Sequence, residues 1–457
     1  MNIAIIGGGI SGLSTAYYLI KKAKEKGKNI KITIFEKKDK LGGKVNTEYY
    51  NGFIIEKGPN GWLSSKEAPT KLAKELNLKI IEANKNAQKR YVFLNGKLIR
   101  IPEDPISFIL SQVLSWKGKL RLALEPFIKP SNKEDETVAE FIIRRLGREA
   151  LDKLLDPMIA GIFAGNPFRL SIRSAFPKVW ELEKKYGSLI KGMLALKKQR
   201  KIEKASAGPT GNLLSLEKGL YEFITALENF LKESGVRIFL NSSLLPLEKR
   251  EGKYILEDKN NNIEETFDRV ILSCPAFAAS KLVSNIDKRL SELLQEIKYT
   301  PIAVVACAFK KEDLYSAKGF KEGFGFLVPY KEKRNILGVL FDSLVFENRA
   351  PKGYVLLRIM LGGARKPELV LREKKEIVKI ALNELKDILK LSKDPIFTRC
   401  YRYLRGIPHY ELYHHKLVEE IFRLGKKYNL SFLSNAYAGV AFADCIKAAE
   451  SLANEIL

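Results

Sequence analysis

Cysteine, histidine and tryptophan are scarce in this 457-residue chain, at four, three and three residues. Cys274, Cys307, Cys400 and Cys445 lie far apart with no CxxC pair. That spacing argues against zinc, iron–sulfur or a disulfide framework, so no metal is expected; the four read as small buried apolar residues in a reducing cytosol. The three histidines, His409, His414 and His415, fall in one late stretch and read as surface or structural residues. No run of eighteen apolar residues exists, which excludes a membrane span. No linker rich in Pro, Gly or Ser and no repeat divides the chain, so the roughly three domains its length suggests are expected to be discontinuous. The chain starts directly in a core strand, leaving no room for a signal or transit peptide, and a cytoplasmic location is expected. Acid is short relative to base, 53 Asp+Glu against 79 Lys+Arg, for a net charge of +26. The lysines are spread out and form no block with interleaved aromatics. They read as a charge-rich surface and not as a nucleic-acid site, leaving an anionic membrane face or acidic substrates as partners.

Against these absences stands one dense stretch. An apolar strand, Ile3-Ala4-Ile5-Ile6, runs into Gly7-Gly8-Gly9-Ile10-Ser11-Gly12. A helical run from Leu13 to Ile20 follows, then a second strand, Ile32 to Phe35, ending on Glu36. Strand, glycine turn, helix, strand and acid is the order of a dinucleotide-binding unit. Gly7 allows the tight turn, Gly9 lets the backbone approach a pyrophosphate, and Gly12 lets helix and strand pack closely. The N–H groups at Ile10 and Ser11 open the helix, where the dipole favours negative charge. Glu36 suits a ribose 2′-hydroxyl and would repel the 2′-phosphate of NADP; Lys37 stands beside it.

A second glycine pair and base follow at once in Leu41-Gly42-Gly43-Lys44, then Glu56-Lys57-Gly58-Pro59-Asn60. A nicotinamide enzyme has no need of them, whereas a long, extended FAD needs more backbone close by. These motifs resemble the flavin amine oxidase and protoporphyrinogen oxidase superfamily, whose pattern is Leu-Gly-Gly-Arg followed by Glu-x-Gly-Pro. Lys44 stands where Arg is usual, keeping the charge and losing the planar fork. The tail from Ser434 through Asn435, Gly439 and Val440 into Asp444-Cys445-Ile446 is similar to the superfamily's segment that closes over the flavin. The superfamily places Gly where Ser434 and Ala441 stand. The resemblance implies non-covalent FAD, with a helix start stabilising the reduced, anionic flavin.

Further segments narrow the resemblance to the porphyrinogen oxidases. They are Asp156-Pro157-Met158-Ile159-Ala160-Gly161-Ile162-Phe163-Ala164-Gly165-Asn166-Pro167, Ala175-Phe176-Pro177, Glu322 to Pro329, the Arg349-Ala350-Pro351 turn and Gly362-Gly363. The likeness implies an α/β fold with three parts. These are a Rossmann-like FAD-binding domain (1–83, 207–282, 405–457), a mixed-sheet substrate domain (84–95, 283–404) and a helical, membrane-facing domain (96–206). It also implies oxidation of protoporphyrinogen IX to protoporphyrin IX in heme biosynthesis. Six electrons leave in three rounds, each taking a hydride from a bridging carbon to flavin N5 and a proton from a pyrrole nitrogen, with oxygen as acceptor. Arg90 would clamp a substrate propionate, Phe324 and Ile302 would sandwich pyrrole rings, and Gly161 would let the macrocycle approach the backbone. Coproporphyrinogen III is the alternative substrate, and an amine oxidase, a desaturase or a non-enzymatic flavoprotein the more distant readings. Ferrochelatase, the inner membrane face and a second copy of the chain are the implied partners.

Periodicity adds the remaining elements. Lys66–Leu78, Leu213–Gly235, Glu373–Leu391 and Gly439–Leu457 read as helices, and the block beyond Pro102 as helical through about residue 205. Tyr91–Ile99 reads as a hairpin turning on Asn95-Gly96. Strands are expected at 236–240, 269–273, 303–307, 325–328, 354–358 and 430–433.

Overall fold

The computed structural model describes residues 1–102, 105–203, 211–437 and 439–457. The expected edges of the helical block at 103–104 and 204–206, the expected boundary at 207, and Ala438 lie outside the described residues. A five-stranded parallel sheet runs in the order Arg237–Phe239, Lys31–Phe35, Asn2–Ile6, Arg269–Leu272, Leu430–Phe432. Its central residues, among them Ile3, Ala4, Ile5, Ile34, Val270 and Ile271, are buried on both faces. Such strands must be continuously apolar, because layers cover the sheet above and below. Helices Ile10–Glu25, Tyr221–Glu233 and Phe442–Ile456 pack on one face through Leu13, Leu227 and Ile446. The other face carries the hairpin Lys253–Asp258 with Ile263–Phe267 and helices Ala276–Val283, Lys288–Glu296 and His414–Tyr428.

A seven-stranded mixed sheet stands beside it, in the order Phe397–His409, Lys298–Lys310, Tyr354–Gly362, Ile336–Leu340, Gly325–Leu327, Arg90–Leu94, Lys97–Arg100. Strand alternation gives it two unlike faces. Val305, Cys307, Phe326, Val339, Leu357 and Ile359 turn toward helix Lys374–Leu389 and its Ile377, Ala381 and Leu385. On the opposite face one register row runs Val304, Met360, Gly338, Leu327, Val92. The next row runs Ala306, Arg358, Leu340, Gly325, Arg90. A glycine stands in each row, and the backbone packs closely at both: a Cβ would lie 2.1 Å from Val339 O at Gly325 and 2.6 Å from Phe326 O at Gly338.

Three expectations are revised. Leu213–Leu216 is a strand between Trp62–Leu63 and Ile80–Glu82, and the helix begins only at Tyr221. The apolar run satisfies its backbone by pairing, and Gly219, at φ +95°, turns the chain before the helix can start. Two expected domain limits also fall inside the larger sheet. Lys97–Arg100 is joined to it by pairing with Arg90–Leu94, and residues 405–409 finish its edge strand. Among the described residues no helix is long and apolar enough to cross a membrane.

The helical block is tied together by charge. Arg145, fully buried, pairs with Glu183 and with Glu125 at 3.1 Å, and its Nη2 donates to the Gly187 carbonyl at 2.9 Å. Glu125 in turn accepts from the Ser188 hydroxyl and the Leu189 N–H, starting helix Leu189–Glu203. Arg145→Met should lower stability by about 3–5 kcal/mol, because fully buried Glu125 loses its cation, whereas Glu183 keeps Arg144 at 2.7 Å. Thermal unfolding measures this, and Arg144→Met, at the half-exposed neighbour, should cost much less.

Candidate active site

At the carboxyl end of the parallel sheet, just past Ile6, the glycines act by what a side chain would strike. A Cβ at Gly12 would lie 2.1 Å from the Gly7 carbonyl, and one at Gly58 would lie 2.2 Å from that of Lys44. A Cβ at Gly9 would meet nothing within 4 Å, so the turn opens onto space. The Gly42 N–H donates to Gly8 O at 2.8 Å, laying the second glycine loop against the first, and Gly43 faces Gly9. Ile10 and Ser11, both buried, begin a helix with no side-chain cap. Glu36 is buried and accepts from the Gly8 N–H at 2.8 Å and the Lys38 N–H at 2.9 Å. Lys37 lies on the surface.

Lys44 is the electrostatic centre of this end. Its ammonium donates to the Gly406 carbonyl and lies 5.6 Å over the Tyr299 ring, and burial pushes its pKa down to about 8. Among the described residues no carboxylate stands within ion-pair distance of it. Its neighbour Cys445 belongs to helix Phe442–Ile456, which also starts without a side-chain cap. Two open helix starts and a buried ammonium are therefore gathered, with Asp444, paired to Lys66 at 2.8 Å, as the acid in the first turn of the second helix, and a pyrophosphate fits beside the unpaired ammonium. Beside half-buried Pro59, the Asn60 amide has nitrogen and oxygen both buried and both unpartnered, as a cradle for a polar cofactor requires. Asn435 and Gly439 are joined through the Tyr410 hydroxyl, and half-buried Val440 packs on the helical block. These features fit FAD.

The substrate-side candidates fall on and around the face of the seven-stranded sheet that carries Arg90. The Arg90 guanidinium lies 5.3 Å from the centroid of the Phe324 ring, and the Phe324 N–H donates to Lys89 O at 2.8 Å. Arg90 is exposed, and no described carboxylate pairs with it. Gly325, paired with Arg90, is two residues from Leu327, whose side chain would lie 3.0 Å from a Cβ at Gly161. Gly161 is exposed near the end of helix Asp156–Phe163. No described N–H donates to its carbonyl. Ile302 packs with Ala160, Ala164, Leu337 and Met360, on the far side of that helix from Arg90. The sheet thus sets Arg90 with Phe324 at one end and Ile302 at the other, and Gly161 lies above the middle. Arg365 fastens the helix down, donating to Asp156 at 2.7 Å and to Val328 O at 2.8 Å.

Sequence reasoning missed Arg358, whose guanidinium donates to the carbonyls of Glu56 at 2.8 Å and Gly58 at 3.1 Å and pairs with Asp342. The signal was present: an arginine inside the apolar run from Tyr354 to Leu361 must be paired. His409 and His414 are structural and buried, both held neutral by pKa values pushed down to about 4.

Comparison with known proteins gives a consistent picture. The pattern of the flavin containing amine oxidoreductase family matches residues 10–457. The coproporphyrinogen III oxidase of Bacillus subtilis is 30% identical over 100% of this chain and 98% of its own. The mitochondrial protoporphyrinogen oxidase of Nicotiana tabacum is 31% identical over 96% of this chain and 90% of its own. A crystal structure from Exiguobacterium sp. 255-15, provisionally named a protoporphyrinogen oxidase, superposes with a TM-score of 0.84 at 27% identity, covering 100% of this chain and 98% of that one.

Two outcomes follow for the purified apoprotein. FAD should bind most tightly below about pH 8, where Lys44 is charged, and its dissociation constant should rise as pH climbs from there. A Lys44→Arg variant, charged throughout, should show no such rise. Gly9→Ala should leave the unfolding temperature unchanged and weaken FAD binding, whereas Gly12→Ala should destabilise the fold itself.

Proposed function

The chain belongs to the flavin containing amine oxidoreductase family, and from that premise we propose that it is an FAD-dependent oxidase of porphyrinogens, with protoporphyrinogen IX as the favoured substrate. The observation that carries this reading is an exposed, unpaired guanidinium against an aromatic ring, on the sheet face over which the helix with Gly161 lies. A porphyrinogen has apolar faces and a carboxylated rim, and it needs both kinds of contact.

Bound FAD supplies the hydride acceptor. The protein supplies the rest. Arg90 grips a propionate in a planar fork and sets the rotation of the macrocycle. Phe324 and Ile302 take the pyrrole faces, and the bare Gly161 allows close approach of the backbone. The Gly161 carbonyl lies in the last turn of its helix, where the dipole is negative, and can accept a pyrrole N–H as the hydride leaves. Holding carbon and acceptor together is where such a site gains most of its rate. Three rounds remove six electrons and give the aromatic porphyrin, with oxygen as the acceptor.

The division into an FAD-binding part, a mixed-sheet substrate part and a helical part belongs to the same reading. Ile109, Leu110, Trp116, Leu120 and Phe127 are exposed on the helical part, Trp116 at 72% and Phe127 at 82%. With Lys117 and Lys119 beside them they suit the anionic inner face of a cell membrane. The Bacillus subtilis relative favours a second reading, in which coproporphyrinogen III is the substrate.

Porphyrin fluorescence after mixing the holoenzyme with each porphyrinogen in air separates the two. Faster growth with protoporphyrinogen is expected, and Arg90→Ala should raise KM about tenfold or more with bound flavin unchanged. Growth with neither substrate would overturn the reading.

A further inference from the structure

Tyr410 and His414, which the proposed mechanism leaves unused, stand against the segment from Asn435 to Gly439. Resting on the flavoenzyme reading above, we propose that Tyr410 is a positioning residue for the cofactor, fixing from outside the segment that closes over it, with His414 as its support. Tyr410 is 3% exposed. Its hydroxyl donates to the Asn435 carbonyl at 2.5 Å and accepts from the Gly439 N–H at 3.2 Å, so one oxygen joins the two ends of the segment. His414 is 5% exposed, and its Nε2 lies 2.9 Å from the Ala436 carbonyl. Burial keeps the imidazole neutral, so Nε2 must carry the hydrogen and donate. The two rings stack at 4.2 Å and 12°, which makes them one rigid unit.

Among the described residues, the segment's local bonds are two contacts of 3.2 Å to Ser434, from the Tyr437 and Ala436 N–H groups. Gly439, at φ +114°, lies in backbone space that a local turn does not enforce. The clamp itself is anchored elsewhere. The Ser171 N–H donates to Tyr410 O at 2.8 Å, the Tyr413 N–H to Asp135 at 2.9 Å, and the Asn166 N–H to His409 Nε2 at 3.1 Å. Ser171, Asp135 and Asn166 all belong to the helical block, which therefore sets the cofactor segment through residues 409–414.

Tyr410→Phe keeps the stack and removes both hydroxyl bonds. The test is FAD titration of the full-length apoprotein, with the visible spectrum and reduction potential of the bound flavin. The expected result is a dissociation constant raised about tenfold, the loss of two neutral hydrogen bonds, together with a shifted flavin spectrum and potential. The unfolding temperature of the apoprotein should fall less than that of the holoprotein. His414→Phe, losing one donor, should shift the same quantities less. Wild-type affinity, spectrum and potential in both variants would overturn the proposal, as would apoprotein unfolding lowered as much as that of the holoprotein. Failure of the wild-type chain itself to bind FAD would instead sink the flavoenzyme reading on which the clamp rests.

Discussion

Arg358 leaves the same face of the seven-stranded sheet as Arg90, pairs with Asp342 through both carboxylate oxygens, and directs its remaining donors to the carbonyls of Glu56 and Gly58. The larger sheet is tied at this point to the end of the hairpin Thr47–Tyr50 with Phe53–Glu56 and to the Gly58–Asn60 loop that follows it. A buried guanidinium without its carboxylate is costly, so the pair fixes that loop against the sheet face that carries Arg90. Everything the site does depends on that registry, because a hydride moves only over a short and fixed distance.

The nucleotide end was legible because each of its residues works locally. A tight turn, a close approach and a helix start are properties of a few consecutive positions, and Gly7 to Gly12 with Glu36 state them in order. The substrate end is assembled from strands more than two hundred residues apart, as Arg90 beside Gly325 shows. Arg90 stood out only through resemblance, in a chain with 79 basic residues. The thirteen-residue strand Phe397–His409 gave no strand period, since Arg399, Arg402, Arg405, Gly406 and Pro408 interrupt it. As the sheet's edge, with a bulge opposite Thr300 to Ile302, it can carry such residues, and they guard it against further pairing. The helix His414–Tyr428 was passed over for a related reason: its histidines drew attention as chemistry and not as packing.

The large positive charge is unevenly used. Most surface lysines are solvated or loosely paired, worth little to stability. The cations that matter are buried: Arg145 in the helical block, Arg358 against the Gly58–Asn60 loop and Lys44 in the cradle. Each does what a hydrophobic residue of similar size would not, imposing one geometry by demanding particular partners.

Lys44 is the exception among the three, since it lacks an internal partner of opposite sign. The chain by itself therefore folds around an unbalanced charge, which a bound nucleotide would balance. By mass action the folded state would then gain stability with the logarithm of free cofactor, so that folding and cofactor supply become one linked equilibrium.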